Sequence, residues 1–173
     1  MSIGVMHMKK IKYFDIFGVE YKTVQFSAAE SFPMIERIAK LNPLDILPYT
    51  SVKCKDEYII LNNEKSINKY VVDKINHVPN FLVLRALLSI VTDFNFSFLA
   101  NFKPVKIPSK FAKESKSVFS KYIDIPLSQL IQNQFASLKE LEEYYSLEDA
   151  FILFDVMISK GINEAYSIDN AGK

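Results

Sequence analysis

Residues with reactive side chains are few and scattered in this chain. Cys54 is its single cysteine, and His7 and His77 are its two histidines. A structural zinc site takes about four nitrogen or sulfur ligands at compatible spacing, and these three residues do not supply one. Cys54 stands in Ser51-Val-Lys-Cys-Lys, where neighbouring lysines favour a thiolate. An ordinary strand cysteine is the simpler reading. The glycines at positions 4, 18, 161 and 172 form no phosphate-cradling loop, so neither a P-loop nor a dinucleotide fingerprint is present. His77 sits in the turn Asn76-His77-Val78-Pro79, and no nucleophile elbow accompanies it. Two carboxylate pairs occur, Glu142-Glu143 and Glu148-Asp149. Adjacent helical positions point about 100° apart, so neither pair makes a tight dyad. Acidic residues in a first helical turn complement the macrodipole, which accounts for Glu148 and Asp149. No catalytic residue, cofactor or metal is expected.

Composition narrows the class further. The chain has 173 residues, which suits one domain. It is 49% hydrophobic and 24% charged, enough to build a core and too apolar for disorder. Fourteen Phe and nine Tyr without any Trp supply a large hydrophobic surface, with a surplus for a partner. One cysteine excludes an intramolecular disulfide and suits a reducing compartment. No secretory signal is visible, and the longest apolar run, 81–91, contains Arg85 and falls short of the roughly 20 residues that span a bilayer. A soluble protein that engages no membrane is the expectation.

The net charge of +1 gives no global attraction to nucleic acid. Charge is nevertheless uneven. Lys103, Lys106, Lys110, Lys113, Lys116 and Lys121 face only Glu114, whereas the region beyond 139 is acidic. Such asymmetry steers a charged partner or is satisfied internally. Phe111, Phe119 and Tyr122 among these lysines have the composition of a single-strand binder. They serve equally to anchor the segment while its lysines stay in water. With no nucleic-acid module around them, no nucleic-acid partner is expected.

These residues need positioning elements. Residues 11–26 are rich in β-branched and aromatic types, and Gly18 supplies the positive φ of a tight turn, so a hairpin is predicted. Ser27-Ala-Ala-Glu30 is a capping box, followed by Ile35, Ile38, Ala39 and Leu41 at helical spacing, with Pro33 pushing the start toward Ser31 and Asn42-Pro43 as the stop. Residues 43–50 read as a loop, 51–61 as a strand or hairpin arm, and 65–75 as a short helix. A helix from Pro79 through Val91, apolar nearly all round, reads as central to the core. Thr92-Asp-Phe-Asn-Phe-Ser-Phe spaces its rings like a strand; if the helix continues, they point to different sides. The connector contains Pro104 and Pro108, with a short helix from Lys110 onward. Pro126 opens a helix, and Ser137 and Ser146 open two more through capping boxes, the last continuing through Ile162. The expected fold is mainly α with a small N-terminal antiparallel β element (α+β), a helical bundle on a hairpin or small sheet. It is expected as one domain over 1–173: a flexible leader 1–10, a β-rich part 11–61 with one helix, central helices 62–102, a basic connector 103–125 and C-terminal helices 126–167.

The order of three stretches resembles the small tail assembly chaperones of tailed bacteriophages. They are Phe17-Gly-Val-Glu-Tyr-Lys leading into Ser27-Ala-Ala-Glu, then Val91-Thr-Asp-Phe-Asn-Phe-Ser-Phe-Leu after a long helix. The third joins Leu130-Ile131, Ala136-Ser-Leu-Lys-Glu-Leu and Tyr145-Ser-Leu-Glu-Asp-Ala, with Asn163-Glu164 near the end. Ser97 stands where the family favours an acidic residue, and Tyr166 where it often has Trp. The resemblance implies a protein that binds the long, apolar, helical tape measure protein, or other tail proteins, and keeps it soluble during tail tube assembly. It implies action in the host cell cytoplasm. The alternative is a tail or baseplate subunit retained in the virion, and self-association is a further option. An exposed apolar groove for amphipathic helices is required. The aromatic surplus, rather than any family pattern, assigns that groove to Phe94, Phe96, Phe98, Leu99, Tyr144, Tyr145 and Phe151.

Overall fold

The computed structural model describes residues 9–75, 77–111, 118 and 120–171. The leader expected over 1–10, apart from Lys9 and Lys10, lies outside these residues. So do His7, Asn76, Lys113, Glu114, Lys116, Phe119 and the Gly172-Lys173 tail. The fold is mostly helical with an N-terminal four-stranded antiparallel sheet packed against helices, an α+β arrangement. In chain order the elements are β1 (Ile11–Ile16), β2 (Val19–Val24), α1 (Ala28–Ser31), α2 (Pro43–Ile46), β3 (Thr50–Cys54), β4 (Glu57–Ile60), α3 (Glu64–Tyr70), α4 (Asn80–Phe96), α5 (Ile125–Gln132), α6 (Leu138–Glu143) and α7 (Leu147–Ala171). Short 3-10 segments occupy Phe32–Lys40, Ser97–Ala100 and Ser109–Phe111. The described residues group into two compact units: residues 9–26 with 34–98, and residues 27–33 with 99–171.

In the sheet unit the strands run in the order β1-β2-β3-β4. Phe17 and Gly18 both take positive φ, 48° and 75°, the two-residue turn whose twist matches the flanking strands. The Gly18 N–H donates to Asp15 Oδ1 at 3.0 Å. Along β2, Val19, Tyr21 and Thr23 are buried and alternate with Glu20, Lys22 and Val24, the period of a strand with one covered face. The alternation breaks at Gln25 and Phe26, both buried, because the strand has ended. The Phe26 N–H instead donates to Asn95 Oδ1 at 2.8 Å. Asn95 Nδ2 donates to the Val91 carbonyl at 2.8 Å, so a buried amide ties α4 to the end of β2. Helix α4 buries Val83, Leu87 and Val91 completely, one residue per helical turn.

Two local expectations change. Residues 43–50, read as a loop, begin with a helical turn, α2. Asn42 Oδ1 accepts the N–H groups of Leu44 and Asp45 at 2.8 and 3.1 Å, and Asp45 accepts from the Asn42 N–H at 3.0 Å. This is a capping box built on Asn, with Pro43 where a missing N–H costs nothing. The helix read through Leu41 is α-helical only over α1. Phe32–Lys40 is a 3-10 segment with a kink at Arg37 (φ −124°), and Pro33 lacks the N–H that an α-helix would need there.

The helical unit is organised by three serine caps. Ser27, Ser137 and Ser146 each accept from an N–H three residues on, and Glu30, Glu140 and Asp149 each accept in return. Ser27 also pairs with Ser146 in an antiparallel bridge, and the Ala28 N–H donates to the Tyr145 carbonyl at 2.8 Å. Beneath these caps Ala28, Leu127, Leu130, Ala136, Leu141 and Ala150 form the core.

Two side chains in the sheet unit predict opposite outcomes. Asn95→Ala strands the buried Phe26 N–H, an unmet donor costing about 1–3 kcal/mol. The Tyr21 hydroxyl is buried with no hydrogen-bond partner among the described residues. Burial, then the Asp15 charge, pushes it up to about 12. Urea unfolding is expected to show a clear loss for Asn95→Ala and no loss, or a gain, for Tyr21→Phe.

Candidate partner-binding surfaces

Apolar side chains left uncovered by the fold gather in each unit. In the sheet unit a groove runs between α2, α3 and α4. One hollow of about 450 Å³ is lined by Leu44, Ile67 and Leu84, with Asn42, Asp45, Glu64 and Asn68 among its polar walls. A second of about 210 Å³ shares Ile67, Asn68 and Leu84 and adds Val71, Asn80 and Phe81. Phe81 is 66% exposed and Leu44 40%. The groove therefore has an apolar floor, an aromatic lip and a polar, partly acidic rim.

The N-terminus of α4 is aimed by the turn before it. The Asp73 carboxylate accepts from the backbone N–H groups of Ile75, His77 and Val78, which replaces the helical bonding that stops at Tyr70. Desolvation pushes this carboxyl up, but the bonds from Val78, Ile75 and His77 outweigh it and hold it below the ordinary aspartate range. Pro79 then leads directly into α4, which places Phe81 on the lip.

In the helical unit the uncovered surface lies on α7. Its 25 residues span roughly 37 Å at about 1.5 Å per residue, yet only Leu147 and Ala150 are buried. Leu153, Phe154 and Met157 pack on the core. Ile152 and Val156, one turn apart, are each 50% exposed, and Ile168 is 74% exposed. A shallow trough along Val156, Ser159, Lys160, Asn163, Ser167 and Ile168 follows this row.

The residues assigned from the aromatic surplus are placed differently. Phe94, Phe96 and Phe98 belong to the sheet unit; Leu99, Tyr144, Tyr145 and Phe151 belong to the helical unit. The helix continues through Phe96, Phe98 sits in the 3-10 turn that follows, and none of the three rings is left on open surface. Phe96 is 5% exposed, with its ring 6.1 Å from that of Phe26. Phe94 is half-buried, with the Lys12 ammonium 5.7 Å from its centroid, and Phe98 and Leu99 are half-buried. Tyr144 is half-buried, and Tyr145 packs on the helical core. Phe151 stacks on Phe32 at 5.5 Å and meets Phe102 edge-on at 5.2 Å. Leu44, Phe81, Ile152, Val156 and Ile168 were missed. The signal for Phe81 was the all-round apolarity of α4, which reads as complete burial but here marks a face the fold leaves open.

The same apolarity bears on membranes. Helix α4 with its 3-10 extension, Asn80–Ala100, is 21 residues long and contains an 18-residue stretch with a mean hydropathy of 1.6, of which 28% is buried. By length and composition alone it could cross a bilayer, unlike the shorter run 81–91. It carries Arg85 and Asp93, and Val83, Leu87 and Val91 along one face are buried in its own unit.

The outer sheet face is internally matched. The Lys22 ammonium lies 5.8 and 5.7 Å from the Tyr13 and Tyr58 centroids. Glu20 accepts from Tyr58 and from Lys53, which lowers its carboxyl. Cys54 is half-buried and His77 exposed. Among the described residues no group of three or more His, Cys, Asp or Glu is placed to hold a metal. Comparison with protein families, with curated proteins and with solved structures finds no match to this chain.

The Asp73 turn gives a pH prediction. Its carboxyl is lower in the folded state, so its contribution is complete above the unfolded aspartate value and is lost as pH falls through the folded one. Urea midpoints measured from about pH 5 down to pH 2 should fall more steeply for the wild type than for Asp73→Asn. Parallel curves would remove Asp73 from this role.

Proposed function

We propose that this chain is a tail assembly chaperone that binds the tape measure protein through uncovered apolar helix faces and keeps it soluble while the tail tube assembles. The observation that carries the reading is the groove between α2, α3 and α4, with Phe81 66% exposed at its lip. Burying a side chain of this size is worth about 1.5–3 kcal/mol. A fold that leaves such rings outside its own core keeps that free energy for a partner. A groove with an apolar floor and polar walls suits an amphipathic helix, whose apolar side chains recur every three or four residues. The exposed row on α7 offers a second strip of the same chemistry. The order of motifs, from the Gly18 hairpin to the Ser146 cap, supplies the identity of the guest.

Co-expression with the long, apolar, helical product encoded nearby tests this directly. The wild type should raise the guest's soluble fraction several-fold. Leu44→Asp with Phe81→Asp, and Ile152→Asp with Val156→Asp, should lower that effect while leaving the chain's own circular dichroism unchanged. Phe96→Asp and Tyr145→Asp disturb packed side chains and report on folding instead. A guest that stays insoluble with the wild type would end the chaperone reading. Stoichiometric amounts of the chain in purified particles would favour the retained tail or baseplate subunit.

A further inference from the structure

The basic connector takes a specific path. Residues 102–108 form neither helix nor strand, with Pro104 and Pro108 disfavouring helix, and Ser109–Phe111 adds one 3-10 turn. This strap runs alongside α7 in the same direction. Phe102 meets Phe151 edge-on at 5.2 Å. The Val105 N–H donates to Asp155 Oδ1 at 2.6 Å. Ile107 and Phe111 face Ile158, Gly161, Ile162 and Ala165 across a slot of about 270 Å³. Lys110 pairs with Asp169 at 3.0 Å and lies 4.4 Å from the Tyr166 ring centroid, and Phe111 meets Tyr166 edge-on at 4.8 Å. The contacts run in order from Phe102–Phe151 to Lys110–Asp169, so the strap follows α7 over most of its length.

The strap is a weak cover. Ile107 is 51% exposed and Val105 37%, and the slot beneath it is not filled. The Lys110–Asp169 pair is solvent-exposed at both ends, 48% and 41%, a geometry worth little. Its chemistry is nevertheless that of a ligand: Ile107 and Phe111 line one slot with Ile158, Ile162 and Ala165, and a backbone donor and a cation meet two acidic side chains on α7.

We propose that residues 102–111 are an intramolecular stand-in for the guest, which displaces them by laying a basic, apolar segment along the same face of α7. This rests on the reading of the chain as a binding protein, and it specifies the guest. The partner segment carries aliphatic or aromatic side chains for the Ile158–Ile162–Ala165 strip and a lysine or arginine for Asp169. Charge complementarity favours it, because the strap that holds the face now is rich in lysine and the helix beneath presents Asp155 and Asp169. Guest binding and strap docking then exclude one another, and the α7 face stays covered until a better-fitting segment arrives.

The test uses the full chain with Cys54→Ser. Lys110→Glu with Ile107→Ser opens the strap. Val105→Cys with Asp155→Cys locks it by a disulfide, which a reductant releases. With the dye 8-anilinonaphthalene-1-sulfonate as probe, the opened variant should fluoresce several-fold more than the wild type and the oxidised locked variant less. A synthetic peptide of residues 101–111 added in trans should displace dye from the opened variant, and the same peptide with its lysines changed to glutamate should not. Equal fluorescence in all three proteins, or no displacement by the peptide, overturns the strap. In guest co-expression, equal capture by the locked and unlocked proteins overturns the exclusion but leaves the chaperone reading intact. No capture by the wild type ends the chaperone reading, while dye and peptide still decide the strap.

Discussion

The helical unit depends on two N-caps set back to back. Ser27 and Ser146 pair as an antiparallel bridge, and each launches a helix whose first free N–H groups are met by its own capping box. Both serines are buried, at 0% and 3% exposure, so the polar groups of two helix starts are satisfied where water does not reach. This junction fixes the origin and direction of α7. Everything beyond Ala150 follows from it: the helix passes over the small core, outruns it, and is propped along its length by the strap. An uncovered helix face is therefore a consequence of the architecture, a long helix on a short core.

The sheet unit reaches a similar result by another route. Its interior is settled by the inner face of the strands and by one face of α4, with Asn95 joining the two. Val83, Leu87 and Val91 fill that face. The remaining apolar positions at the start of α4 have only α2 and α3 beside them, each too short to cover the helix, and the groove is what is left. Two short caps, Asn42 on α2 and Asn63 on α3, hold its walls in place.

Much of the fold was legible because the informative residues act locally. The Gly18 turn, the serine caps and Pro126 each determine structure within a few residues; the hairpin, α5, α6 and α7 are present, while the Ser27 cap opens only the four-residue α1. What failed was also physical. Asn42-Pro43 reads as a stop because proline ends the preceding helix, yet the same pair starts α2 once Asp45 is counted. Pro33 was weighed as a shift in helix start, when its missing N–H interrupts the α-helix already begun at Ala28. The candidate site was legible only in kind. Excess aromatic surface is visible in composition, but composition does not say which ring is covered. Phe96 lies against Phe26, which is distant in sequence, and no pattern within 94–98 could show it. Phe81 stands outside because α3 stops at Tyr70 and Asp73 turns the chain, a backbone event that no hydrophobic period encodes.

The central claim is that a guest helix occupies faces this fold leaves open. Hydroxyl-radical footprinting of the chain with its proposed guest, against the chain alone, reads those faces side chain by side chain. The account predicts that oxidation of Leu44, Phe81, Ile152 and Ile168 drops on binding while that of Tyr13 and Tyr58 on the outer sheet face holds steady. Protection confined to the outer sheet face, with Phe81 and Ile168 as reactive as before, would contradict it.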